Sequence, residues 1–124
     1  MIFIDRSIPK SVAAALKQVR DDVVWLEDAF PHRTTETEWL PEVGRREWLV
    51  ISRDKKIRTR PGERRMLQEG KVGCFIIGQK KNPTRWEYLK LLAVTLDEME
   101  EIFSSTQRPF IYVIHKDGRL SRVA

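Results

Sequence analysis

The sequence predicts an α/β fold with a largely parallel central sheet covered by helices on both faces. Short apolar, β-branched runs recur along the chain and alternate with segments whose apolar residues repeat every three or four positions, the pattern of βαβ units. Several of these runs end on an acidic residue, as expected where a site is built beyond the carboxyl ends of strands. The 124 residues suit one domain. No repeat, low-complexity tract or linker divides them, so residues 1–124 read as a single unit.

The first strand is predicted at residues 2–4 and is closed by Asp5. A helix starts at Ser7 or Pro9 and carries Val12, Leu16 and Val19 on one face. Arg20-Asp21-Asp22 breaks it, and residues 23–26 form the second strand, followed at once by Glu27 and Asp28. Residues 29–35 are a polar loop, from which Thr34 or Thr35 caps a helix carrying Glu36, Glu38, Trp39, Leu40, Glu42 and Val43. Gly44 begins the end of that helix, and residues 48–51 form the third strand, closed by Ser52-Arg53-Asp54. Pro61 fits the first turn of a short helix that runs to about Glu69 and leaves through Gly70.

Residues 72–77 form the fourth strand. Pro83 opens the longest helix, with Trp86, Leu89, Leu92, Leu96, Met99 and Phe103 on its apolar stripe. Residues 110–114 are a strand, Lys116-Asp117-Gly118 a turn, and residues 120–123 a last strand that adds an antiparallel edge.

No apolar run is long enough to span a bilayer, so no membrane partner is expected. The opening Met-Ile-Phe-Ile-Asp does not read as a secretory segment. One cysteine, Cys74, excludes an intrachain disulfide and falls in an apolar run, where a buried, inert thiol in a reducing cytoplasm is expected. The net charge of +5 allows an anionic partner.

Asp5, Glu27 or Asp28, and Asp54 each follow a strand, so a parallel sheet brings them to one edge. Glu38 and Glu42 share a helix face, and Glu38 leans over the same edge. Carboxylates gathered without bases between them repel one another, and a hard divalent ion such as Mg²⁺ or Mn²⁺ relieves that repulsion. Such an ion polarises a phosphodiester and activates water for in-line attack. His32 and His115 stand alone, which argues against zinc.

Phe3-Ile4-Asp5-Arg6-Ser7-Ile8-Pro9, Thr35-Glu36-Thr37-Glu38-Trp39-Leu40 and Leu49-Val50-Ile51-Ser52-Arg53-Asp54 resemble, in order, three motifs of PIN-like domains. Arg58-Thr59-Arg60-Pro61 and the Trp86 helix resemble one branch of the VapC-type toxins. The resemblance implies a three-layer α/β/α sandwich and a Mg²⁺-dependent endoribonuclease that is the toxin of a type II toxin–antitoxin pair. RNA, a cognate antitoxin and a second copy of the chain are its expected partners. By the same resemblance Asp5 and Asp54 are metal ligands, with Glu36 or Glu38 as the helix acid. Many PIN domains carry a further acid after the next strand, whereas here Ile77 is followed by Gly78-Gln79-Lys80-Lys81, which leaves the number of ions open.

Between Lys55 and Arg65 six basic residues stand against Glu63 alone. Their adjacency to Asp54 makes Lys55, Arg58, Arg60 and Arg64 the expected contacts to a phosphate backbone. Trp25, Trp48 and Trp86 are expected in the core, and Trp39, next to Glu38, stands between core and site. The acids at 97–101 read as a solvated helix face. A receiver domain would need paired acids after the first strand and a Ser or Thr after the fourth, neither of which is present. A non-catalytic RNA- or protein-binding PIN-like domain is the alternative that the missing fourth acid keeps open.

Overall fold

The computed structural model describes residues 1–79 and 81–124, and Lys80 lies outside them. In chain order its elements are β1 (Ile2–Ile4), α1 (Lys10–Lys17), β2 (Val23–Trp25), α2 (Leu26–Ala29), α3 (Glu36–Arg45) and β3 (Leu49–Ser52). There follow α4 (Lys56–Thr59), α5 (Pro61–Glu69), β4 (Gly73–Ile77), α6 (Arg85–Ser105), β5 (Phe110–Ile114) and β6 (Leu120–Arg122). The strands form one sheet in the order β2-β1-β3-β4-β5-β6, parallel from β2 to β5 with β6 antiparallel at the edge.

The alternation of side chains along each strand separates two apolar layers. Ile2, Ile4, Leu49, Ile51, Phe75 and Ile77 pack with Val12 and Leu16 of α1 and Leu92, Leu96 and Met99 of α6. Phe3, Val50, Cys74 and Ile76 point the other way, into a layer with Leu26, Trp39, Leu40, Ile57 and Leu67 from α2 to α5. The expected α/β/α sandwich is therefore the observed architecture, and Cys74 is buried within it. Among the described residues no helix is long and apolar enough to cross a membrane.

From β1 the chain moves outward to β2 and then crosses back to β3 on the other side. The order reverses between β1 and β3, and in open α/β sheets ligands bind beyond the carboxyl ends of strands at such a point. Asp5 and Arg53 are the first residues past these two strand ends.

Two helices carry side chains to this crevice, and their spacing is set at their far ends. A Cβ on Gly44 of α3 would lie 2.1 Å from the carbonyl oxygen of Gly70, and one on Gly70 would lie 2.9 Å from the Cα of Pro41. Only bare backbone allows α3 and α5 to approach so closely. At the other end Trp39 is buried against Phe3, with ring centroids 4.9 Å apart, which fixes α3 over β1.

Three expectations differ from the structure. Val19 lies beyond the end of α1 and is 81% exposed, because the helix closes at Lys17 before that position returns to the sheet. Trp86 is 64% exposed, because α6 buries Tyr88, Leu91, Leu92, Thr95, Leu96 and Met99 and Trp86 lies on the far side of that stripe. Trp48 precedes β3, stacking on Phe3 with the Arg46 guanidinium over its ring. The short α2 and α4 had no counterpart in the sequence pattern, since each buries only one side chain, Leu26 or Ile57.

The close approach of α3 and α5 yields a direct test. Gly44→Ala should destabilise the protein by about 3 kcal/mol, as expected when a methyl is forced against fixed backbone. Urea unfolding of parent and variant measures this.

Candidate functional site

β1 is followed at once by Asp5, which is 3% exposed and points to the same face as Phe3. Its N–H continues the ladder by donating to the Ile51 carbonyl at 3.2 Å. Ser52 Oγ donates to Asp5 Oδ2 at 2.5 Å, and the Ser7 hydroxyl and N–H both donate to Oδ1. The same two serines position the loop after β3: Arg53 N–H donates to Ser7 Oγ at 2.8 Å and Asp54 N–H to Ser52 Oγ at 2.9 Å. Asp54 Oδ1 in turn accepts from Lys56 N–H at 2.9 Å and starts α4. A buried carboxylate thus ties two loops together through hydroxyls.

Burial pushes the Asp5 carboxyl up to about 6, against the pull of its hydrogen bonds from Ser52 and Ser7, and the charge of Asp54 adds to the rise. Glu36, in the first turn of α3, faces Asp54 across the cavity that both line. Burial, the facing Asp54 and the charges of Asp5 and Glu63 raise Glu36 strongly. Burial acts on Asp54 in the same direction, but the facing Glu36 carboxyl, the Lys56 N–H and the charges of Lys56 and Arg60 outweigh it and hold Asp54 low. Glu36 Oε2 and Glu63 Oε2 are buried without a hydrogen-bond partner.

These groups open into a cavity of about 320 Å³ lined by Asp5, Arg6, Ser7, Thr35, Glu36, Trp39, Asp54 and Lys56, among others. A larger cavity of about 710 Å³ lies at the opposite end, beside Gly44, Gly70 and Arg108, and holds none of the clustered acids. Among the described residues no group of three or more His, Cys, Asp or Glu side chains is arranged as it stands to hold a metal ion. The pair Glu36–Asp54, with one oxygen unpartnered, is the arrangement best suited to receive a cation.

The structure brings Asp5, Glu36 and Asp54 together and leaves Glu38 outside. Glu38 is exposed, and its Oε1 accepts from the Thr35 N–H at 3.2 Å and hydroxyl at 2.8 Å, closing the start of α3. Glu27 and Asp28 lie on α2 and pair with His32 and Lys17. Glu42 pairs with Arg45 and Arg46. Ser7, Ser52 and Glu63 were not singled out from the sequence. The two serines are each two residues from an acid, a spacing from which a hydroxyl or amide reaches a carboxylate.

Lys55, Arg58, Arg60 and Arg64 are exposed beyond β3, together with Lys56. Among the described residues none of these five forms an ion pair, and neither do Arg6, Arg53, Lys81 and Arg85. Arg20, Arg45, Arg46 and Arg108, which precede strands, are all paired with acids. Lys55, Lys56, Arg58, Arg60 and Arg64 thus form a run of unpaired cations past the carboxyl end of β3, and Lys56 lines the cavity.

A family model described as a PIN like domain matches residues 1–79. No curated protein and no solved structure gives a significant match.

The raised Asp5 carboxyl predicts how stability depends on pH. A carboxyl whose folded value stands above its unfolded one binds its proton more tightly in the folded state. In the protein without added cations the stabilisation from Asp5 should therefore be fully present below its usual value of 3.8 and be lost as pH rises through about 6. The contribution of Asp5 is about 3 kcal/mol. Asp5→Asn should flatten this part of the profile, measured by urea melts at pH 4 and pH 7.5.

Proposed function

The chain belongs to the PIN-like domain family, whose match spans well over half of it, and from that membership we propose that it is a metal-dependent endoribonuclease. Membership of this family carries a nuclease or nucleic-acid-binding role. The finer reading is supported chiefly by the convergence of Asp5, Glu36 and Asp54 on one cavity ringed by free cations.

The acidic pair suits Mg²⁺ or Mn²⁺. These ions are commonly held by one or two carboxylates together with substrate phosphates rather than by an all-protein cage. That preference accords with a cavity where three acids are not already gathered as ligands and where Glu36 Oε2 lacks a partner. Glu36 and Asp54 are the ligands in this reading, with Asp5 as the third carboxylate behind them. Glu38 is left out, because its carboxylate is committed to Thr35. When bound, a divalent ion supplies Lewis acidity toward water and the phosphodiester. Ser7 and Ser52 hold Asp5 and the Asp54 loop in place, and Trp39 forms an apolar wall. Lys56, Arg58 and Arg60 neutralise the phosphates on either side of the scissile bond.

The biological setting proposed is that of a toxin of the VapC kind, paired with an antitoxin that covers the basic edge. The ordered motifs at residues 3–9, 35–40 and 49–54, with Arg58-Thr59-Arg60-Pro61, support it. A binding domain without turnover is the second reading, favoured by the absence of three acids poised as ligands among the described residues.

Cleavage of a mixed RNA pool with Mg²⁺, and with EDTA as control, separates the two. Asp54→Asn and Glu36→Gln should each lower cleavage about a hundredfold or more, and the double variant little further, because residues acting as a unit are not additive. Glu38→Gln should stay within about threefold of the parent, at a cost of about 1 kcal/mol in helix capping. Full activity in EDTA, or in Glu36→Gln, would remove this reading.

The free cations yield a separate expectation. Arg58→Ala combined with Arg60→Ala should lower the slope of log affinity against log salt by about 1.4 for single-stranded RNA, the equivalent of two phosphate contacts. Titrations between 50 and 200 mM salt, on the order of the range where such slopes are resolved, measure it. An unchanged slope would make the segment a solvated surface only.

A further inference from the structure

The first turn of α6 holds an indole that the fold does not use. Trp86 is 64% exposed, and Lys90 Nζ lies 5.8 Å from its ring centroid. We propose that Trp86, flanked by Arg85 and Lys90, is a stacking platform for an unpaired base of single-stranded RNA that runs from the carboxylate cavity across the carboxyl edge of the sheet. The identity of the ligand rests on the nuclease reading above.

Position is the first support. α6 follows β4, so its start stands at the same sheet edge as Asp5 and Asp54. Arg53, between Ser52 and Asp54, reaches across to this segment and donates from Nη1 to Asn82 Oδ1 at 2.6 Å. Its Nε is buried without a partner. The loop before α6 and the loop carrying Asp54 are thus in direct contact.

Charge is the second support. Lys81, Arg85 and Lys90 are exposed and form no ion pairs among the described residues. The nearest acid in the turn, Glu87, is turned back on the helix start, where its Oε1 accepts from Thr84 N–H at 2.9 Å. A phosphate backbone passing Trp86 therefore meets cations on the outer surface, continuous with those around Asp54.

Shape argues against a protein partner. The other strongly exposed apolar residue of α6, Val94, is two turns away, with Lys90 between them. A protein-binding patch is a contiguous apolar area, whereas one aromatic ring set among cations is the arrangement that binds unpaired bases. A base inside a duplex already has both faces stacked, so the platform selects single strands.

Affinity of the 124-residue chain for a labelled oligouridine RNA, measured in EDTA so that no cleavage intervenes, tests this. Trp86→Ala should weaken binding about tenfold, in line with the loss of one base–aromatic stack, and Trp86→Phe should recover most of it. The salt slope should be unchanged in Trp86→Ala, but lower by about 0.7 in Arg85→Ala and in Lys90→Ala. Binding to a blunt RNA duplex should not respond to Trp86→Ala. Melting temperatures should match the parent, since the ring packs on nothing in the core.

Oligouridine binding by Trp86→Ala within twofold of the parent, or an equal loss on duplex RNA, would overturn the proposal. So would a dimer that becomes monomeric on Trp86→Ala with RNA affinity intact, because a second copy would then be the occupant. A parent that binds and cleaves RNA but ignores Trp86 removes this inference alone. A parent that neither binds nor cleaves removes the nuclease reading with it.

Discussion

Parallel pairing of β1 with β3 in a register that sets Ile4 beside Ile51 decides where every acid of the site goes. One residue further along, Asp5 and Ser52 become neighbours and point to the α3–α5 face, as Phe3 and Val50 do. Because side chains alternate with a period of two, a slip of one residue would turn Asp5 toward α1 and α6 and away from Glu36. The aromatic and aliphatic residues of both layers hold that register. Packing and site geometry are therefore one constraint, since the core cannot move without moving the carboxylate.

The cavity is an electrostatic conflict that the fold contains without resolving. Asp5 is desolvated, Glu36 faces Asp54 and is raised by it, and oxygens of Glu36 and Glu63 are buried without partners. An apolar substitution at several of these positions would give a more comfortable protein. The strain sits against a rigid frame, made by the Gly44–Gly70 approach at one end of α3 and the Trp39–Phe3 contact at the other. Local disagreement of this kind within an otherwise consistent fold is what a functional site requires.

Much of the fold was legible because it depends on period. Strand runs alternating with helical repeats gave the layers, and acids at the ends of the first and third runs gave Asp5 and Asp54. What escaped the sequence depends on rotation and on partners. Trp86 and Val19 both extend an apolar stripe by spacing alone, yet the phase of α6 and the end of α1 expose them. Glu36 and Glu38 are two residues apart and chemically alike. Only the position of Thr35 decides that one closes the helix while the other faces Asp54. Ser7 and Ser52 carry no sign of their role except spacing, and Glu63 looked like a lone acid in a basic run until α5 was packed beside α3.

Net charge says little here, whereas the pairing of charges says a good deal. Arg20, Arg45, Arg46 and Arg108, at the amino ends of strands, have acidic partners. Lys55, Lys56, Arg58, Arg60 and Arg64, past the carboxyl end of β3, have none among the described residues, although acids lie in the cavity beside them. Those acids are turned inward, toward serines, amides and one another, and the nearest cations, Lys56 and Arg60, act on Asp54 by charge without an ion-pair contact. An anionic chain drawn to this edge meets cations first and carboxylates only at the mouth of the cavity. The separation of the two signs by depth, more than the excess of either, is what allows one edge of the sheet both to attract a polyanion and to hold acids against it.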